Sequence, residues 1–142
     1  MSNILDDTIS RLQEIANALT EDIKQAPAYP VEKPDVLPLA IASVTDGNGR
    51  ADDASGVHLF INVGVDFYFS RTNLAAAFKQ INAVIPEYLK RLGGDPNLNG
   101  TAATIVFPVN FEVGQALYGS TQVQMLSFGI MVKYREDPTP TA

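Results

Sequence analysis

The sequence contains no cysteine and one histidine, His58, among 142 residues. The first absence excludes disulfides, thiolate metal sites, iron–sulfur clusters and cysteine nucleophiles. The second excludes a multi-histidine metal site and leaves His58 as the one imidazole base. Basic side chains are scarce: ten Lys and Arg stand against sixteen Asp and Glu, a net charge of −6. A chain with that balance does not grip duplex DNA by neutralising phosphates. Charged residues make up 18% and hydrophobic residues 46%, which is globular and charge-poor for a lone monomer. No stretch approaches the ~18 uncharged apolar residues of a membrane-spanning helix. The first seven residues, Met1-Ser2-Asn3-Ile4-Leu5-Asp6-Asp7, lack the basic region and apolar run of a secretory signal. The lack of cysteine fits a reducing compartment.

What is present reads as one domain spanning 1–142, long enough to bury a sizeable core. Ile9, Leu12, Ile15, Ala16, Leu19 and Ile23 recur at helical spacing over 1–25. Asn3 is placed to cap that helix, and Asp6 and Asp7 to favour its positive end. Residues 26–38 carry four prolines and read as an extended strap. Leu39 to Val44 reads as a short strand, and 45–56, rich in glycine and aspartate, as a long loop.

From Val57 to Ser70 apolar residues alternate without a break, with Val57, Leu59, Ile61, Val63, Val65, Phe67 and Phe69 on one face. That is a long strand with one dry face. Ser70 or Thr72 is placed to cap the next helix, whose stripe is Leu74, Phe78, Ile81, Ile85, Leu89 and Leu92. Pro86 is expected to kink or divide it, and Gly93-Gly94 to end it. A strand follows over 101–111, with Ile105, Phe107, Val109 and Phe111 aligned and Pro108 marking an edge or bulge. Residues 112–121 read as an irregular arm. A closing strand over 122–134 turns Leu126, Phe128, Ile130, Val132 and Tyr134 inward. Its other face, with Val123, Met125, Ser127, Gly129 and Met131, is suited to accept another protein. Residues 137–142 form a frayed tail, and the core spans 39–136. The expected fold class is α+β: an antiparallel or mixed β-sheet with helices packed on one face, and a long loop and arm for assembly.

Chemical constellations are thin. Measured from Asp46 as a calcium loop, only Asp46 and Asn48 fit, whereas Arg50, Ala51 and Val57 stand where an acid or amide, glycine and glutamate are needed. His58 and Asp66 share a strand face but lie roughly 26 Å apart along it, and Ser55 sits in no nucleophile elbow. Asp52-Asp53 and Glu112 are not fixed as a carboxylate pair. No phosphate-cradling glycine motif occurs, and Gly47-Asn48-Gly49 precedes a strand rather than a helix. Asn99-Gly100-Thr101 matches a glycosylation sequon without a secretory context. The reading is of a protein that is not an enzyme and holds no cofactor or metal.

The order of elements resembles the tail terminator proteins of long-tailed bacteriophages. The likeness rests on the N-terminal helix, the proline-led segment Val36-Leu37-Pro38-Leu39-Ala40-Ile41-Ala42, the polar loop and the long alternating strand. It continues through the proline-containing helix Ile81-Asn82-Ala83-Val84-Ile85-Pro86 and two closing strands ending in Ile130-Met131-Val132-Lys133-Tyr134-Arg135, covering 1–136. It is a likeness of order and length, and the strap over 27–38 departs from it. The resemblance implies a hexameric ring in the virion tail or neck, assembled in the host cytoplasm. The ring would cap the tail tube, end its polymerisation and dock head-completion proteins, with DNA passing unbound through its lumen.

On that basis the interface candidates are Arg50, Asp52, Asp53, His58, Tyr68, Gln115, Tyr118 and Ser120, aromatic and arginine side chains being common anchors. The lumen candidates are the acids Asp46, Asp66 and Glu112, since a negative bore repels phosphates. The long strand and the closing strand are expected to pair edge to edge with neighbouring copies. Two alternatives stand beside this one. One is another neck component, a head-closure or tail-completion protein. The other is a small α+β ligand-binding domain or enzyme using His58, Asp66 and Tyr68.

Overall fold

The structure, a computed structural model, describes residues 4–25, 38–51, 57–71, 73–98 and 103–136. Its elements in chain order are α1 (Ile4–Gln25), β1 (Leu39–Ala51), β2 (Val57–Ser70), α2 (Leu74–Gly93), β3 (Thr104–Tyr118) and β4 (Thr121–Glu136). The strands form one antiparallel sheet in the order β1-β2-β4-β3. Both helices lie on one side of it, which is the α+β arrangement expected.

Alternation on β2 dictates the core. Val63, Val65, Phe67 and Phe69 are fully buried, and opposite them β4 buries Leu126, Phe128, Ile130 and Val132. α1 lays Leu12, Ile15, Ala16 and Leu19 onto this surface. α2 adds Tyr88, whose ring stands 5.3 Å from that of Phe67, edge to face, and 4.8 Å from that of Phe128. Edge-to-face packing suits aromatic quadrupoles, and this trio ties α2 to the two central strands. The Tyr88 hydroxyl donates to the Leu12 carbonyl at 3.4 Å, tying α2 to α1. Around the trio, Arg11 pairs with Asp95 at 2.9 Å and with Glu14 at 3.0 Å, and Arg91 with Asp22 at 3.3 Å. The Arg11–Asp95 pair is half-buried, while the Arg11–Glu14 and Arg91–Asp22 pairs face solvent and add little to stability.

Several sequence expectations are corrected. The loop expected from residue 45 is strand as far as Ala51, with one bulge between Val44 and Asp46. Glycine and aspartate lower strand propensity, but pairing with β2 overrides it. The arm expected over 112–121 is the second half of β3, turned by Gly119 and Ser120 into β4. Gly119 has φ +65°, the left-handed conformation that glycine adopts without cost. Pro86 does not divide α2, which runs unbroken from Leu74 to Gly93. Pro86 and Asn82 are both exposed, so the carbonyl left without a donor faces water. The cap of α2 is Asn73, whose Oδ1 accepts the Ala76 N–H at 3.1 Å. The stripe of α2 that is buried is Ala77, Ile81, Val84, Tyr88 and Leu92, with Leu74 and Phe78 exposed on its flank. The run Ile105, Phe107, Val109, Phe111 is interrupted by a bulge between Val106 and Asn110, where the Phe107–Pro108 bond is cis. Phe107 is therefore exposed at the groove rather than aligned inward with Ile105, whereas Phe111 is back on the helix side, its ring 6.0 Å from that of Phe128, though still exposed. Val123, expected on the open face, is buried. The Asn3 cap, the strap over 26–37 and the tail over 137–142 lie outside the described residues.

Candidate functional site

The face of the sheet turned away from the helices carries the polar half of every strand. Register across it runs in rows. One row is Ile41, Asp66, Ser127 and Glu112; the next is Ser43, Gly64, Gly129 and Asn110; the third is Asp46, Asn62, Met131 and Val106. The three lumen candidates, Asp46, Asp66 and Glu112, are thus brought to one face, from three different strands. Asp66 and Glu112 are two strands apart in one row, roughly 10 Å.

Asp46 and Asp66 are oriented by neighbours. Asn62 Nδ2 donates to Asp46 Oδ1 at 2.5 Å, and Ser127 Oγ donates to Asp66 Oδ1 at 2.5 Å. Thr45, the bulged residue of β1, donates its hydroxyl to the Asn62 carbonyl at 3.0 Å. Between the outer rows the paired glycines Gly64 and Gly129 leave a shallow open groove of about 510 Å³, walled by Thr45, Asp46 and Asn62 on one side and Phe107, Pro108 and Asn110 on the other. Among the described residues Asp46 is the one ionisable group lining it. Among the described residues no group of three or more His, Asp or Glu could hold a metal ion.

The interface candidates divide between the two ends of the sheet. Arg50 lies opposite His58 in the β1–β2 register, and His58 opposite Arg135 in the β2–β4 register. Tyr68, Gln115, Tyr118 and Ser120 lie at the other end, ten residues along β2 from His58, roughly 33 Å. His58 and Tyr68 are half-buried; Gln115 and Ser120 are exposed. Asp52 and Asp53, and the side chains of Arg50 and Tyr118, lie outside the described residues. His58, Asp66 and Tyr68 do not converge, and none of them lines the groove.

Two features escape sequence reading. At the hairpin end Arg71 Nη1 donates to Gln122 Oε1 at 3.2 Å and to Gln115 Oε1 at 3.5 Å. Its Nε, and the buried Gln124 Oε1, have no partner there. The second feature is at the sheet edge. Gln13 of α1 donates from Nε2 to the Ala40 carbonyl at 2.7 Å and to Asn17 Oδ1 at 2.8 Å, and its Oε1 accepts the Ala42 N–H at 2.7 Å. The first contact depends on the register that brings β2, β4 and β3 level at that end, and the second on the crossing of α1 over β1.

The edge strands are β1 and β3, not the long and closing strands. β2 and β4 are central and pair with each other from Val57–Glu136 to Ser70–Val123. Among the described strands, edge pairing between copies can therefore involve only β1 and β3.

No family model and no curated protein matches the chain.

Proposed function

We propose that the protein is a tail terminator: a structural virion protein that forms a hexameric ring on the phage tail tube, ends tube growth and offers a docking surface to the head and neck. The observation that carries the reading is the gathering of Asp46, Asp66 and Glu112 on the helix-free face of a sheet with two edges. Helices outside and these acids inside suit a bore for DNA, because a negative wall repels phosphates and lets the duplex slide; the exposed Lys133 lies on the same face, one row beyond Asp46.

Strand directions support ring closure. Four alternating strands make β1 and β3 run oppositely, so a head-to-tail joint of β3 to the next copy's β1 keeps the sheet antiparallel all round. Six copies would join about 24 strands, roughly 115 Å around and ~37 Å across at ~4.8 Å per strand before tilt. That opening admits a DNA duplex. Such a ring carries a charge of about −36, six times the −6 of one chain.

Light scattering over a concentration series tests the proposal, alone and with tail tube protein. The expected result is a species near six subunits, or rings that form on the tube. A monomer indifferent to tube protein at every concentration overturns it. A ring that binds head-side partners and leaves tube length unchanged favours the alternative of a head-closure or tail-completion protein.

A further inference from the structure

Both edges of the sheet are sealed over part of their length, at opposite ends. On β1 the Gln13 amide occupies the Ala40 carbonyl and the Ala42 N–H, the groups that face away from β2. Past the bulge at Thr45 the register shifts by one residue, so Gly47, Gly49 and Ala51 turn their N–H and C=O groups to that edge. On β3 the Ile105 N–H is taken by the Pro96 carbonyl at 2.9 Å, and Pro108 has no N–H to offer. Beyond the second bulge, Phe111, Val113, Gln115 and Leu117 face the edge, since their neighbours Asn110, Glu112, Gly114 and Ala116 face β4. Among the described residues no backbone hydrogen bond from another element reaches either of these two open stretches.

Gly47 and Gly49 let a second backbone approach closely, which is what strand glycines commonly mark. Side chains in the two stretches also match in face. Gly47 lies opposite the helix-side Ile61, and Phe111 opposite the buried Phe128. Joining them preserves the separation of helix side and open side across the joint.

We propose that the open stretch Gly47–Ala51 of one copy pairs with Phe111–Leu117 of the next, and that the sealed stretches force this joint to be staggered along the strands. The inference rests on the ring reading above and fixes its contact. A level joint would set Gly47–Ala51 against the start of β3, where Ile105 is already bonded and Pro108 follows. Gly47 is level with Val132 of β4, and Phe111 with Phe128. Contact therefore begins at an offset of about four residues, ~13 Å, and spans all of Gly47–Ala51 at about eight, ~26 Å. Stagger of this kind is what closing a sheet into a barrel demands.

The absence of cysteine makes the test clean. Asn48→Cys combined with Gly114→Cys reports the staggered joint, and Asn48→Cys combined with Thr104→Cys reports a level one. Each variant is treated with a short bis-maleimide after light scattering has established its assembly state and circular dichroism its fold. The expected result is a ladder of cross-linked oligomers from the first pair and at least tenfold less product from the second. A ladder from the level pair overturns the stagger. Assembly seen by light scattering with neither pair cross-linking overturns the edge joint and leaves the ring reading standing. A chain that stays monomeric in every condition overturns both.

Discussion

Gln13 on α1 holds a donor and an acceptor of the β1 edge at once, its amide meeting the Ala40 carbonyl and the Ala42 N–H at 2.7 Å each. A primary amide has the same donor–acceptor pair as a peptide group, so Gln13 stands in for one residue of a missing strand. Edge strands that expose such groups are templates for unwanted pairing, and covering them is a general protective device. Gln13→Ala is expected to destabilise the fold by about 1–2 kcal/mol, the net worth of two partly buried hydrogen bonds. It should also speed Ala42 amide exchange. Gln13→Glu keeps the acceptor and should retain protection at Ala42 while losing the bond to Ala40. Amide exchange of both variants checks this; equal protection of Ala42 in wild type and Gln13→Ala would show the clasp to be idle.

Much of the fold was legible because burial enforces periodicity. The alternation from Val57 to Ser70 and from Leu126 to Tyr134 is the same pattern that fills the core. Residues 45–51 and 112–118 do not read as strands from sequence, for the converse reason. They are edge segments, half of whose backbone groups point away from the sheet, so glycine and polar residues are tolerated there and the alternation fades. The acids Asp46, Asp66 and Glu112 could be named from sequence, but their sharing of one face depends on pairing register and on two bulges, which sequence did not fix. Gln13 was invisible: nothing in its neighbours distinguishes it from any polar residue beside an apolar stripe.

Glycines on the sheet separate into those that are needed and those that are not. A Cβ at Gly47 would stand 2.6 Å from the Phe60 carbonyl oxygen and 3.1 Å from the Ile61 Cα, and backbone cannot move aside cheaply. A Cβ at Gly129 would meet nothing within 4 Å. Gly47→Ala is therefore expected to cost on the order of 1–3 kcal/mol, as overpacking does, whereas Gly129→Ala stays within about 0.5 kcal/mol of wild type. Urea unfolding of the two variants decides the matter; equal midpoints would mean that β1 yields at Gly47.

The acids of the open face can be tested apart from folding. Glu112 is exposed on β3, in the row of Asp66 and Ser127. Glu112→Lys should fold with wild-type stability to within about 0.5 kcal/mol. In the ring proposed above it would change the wall by two charges per subunit and give DNA phosphates a partner. Slower DNA ejection, with the lag shrinking as salt rises, is the expected result. Ejection kinetics indistinguishable from wild type at low salt would remove the open face from the lumen.

Tyr88 gives the fold an alkaline limit. Burial among Phe67, Phe128 and Leu12 penalises the phenolate and pushes its pKa well above the ordinary tyrosine value. The folded state thus favours the neutral phenol more strongly than the unfolded state does. Its contribution to stability is whole below the unfolded pKa of about 10 and is lost progressively as pH rises through the folded value. Tyr88→Phe keeps the ring and gives up a long hydrogen bond to the Leu12 carbonyl, so at about pH 8 it should cost no more than ~1 kcal/mol. Between about pH 8 and about pH 11 the wild type should lose more stability than the variant, because the other titrating groups are common to both. Urea unfolding of the two proteins at both pH values isolates that difference. Parallel losses would mean that Tyr88 reaches water in the folded state, and that the contact between α1 and α2 opens far more often than its packing implies.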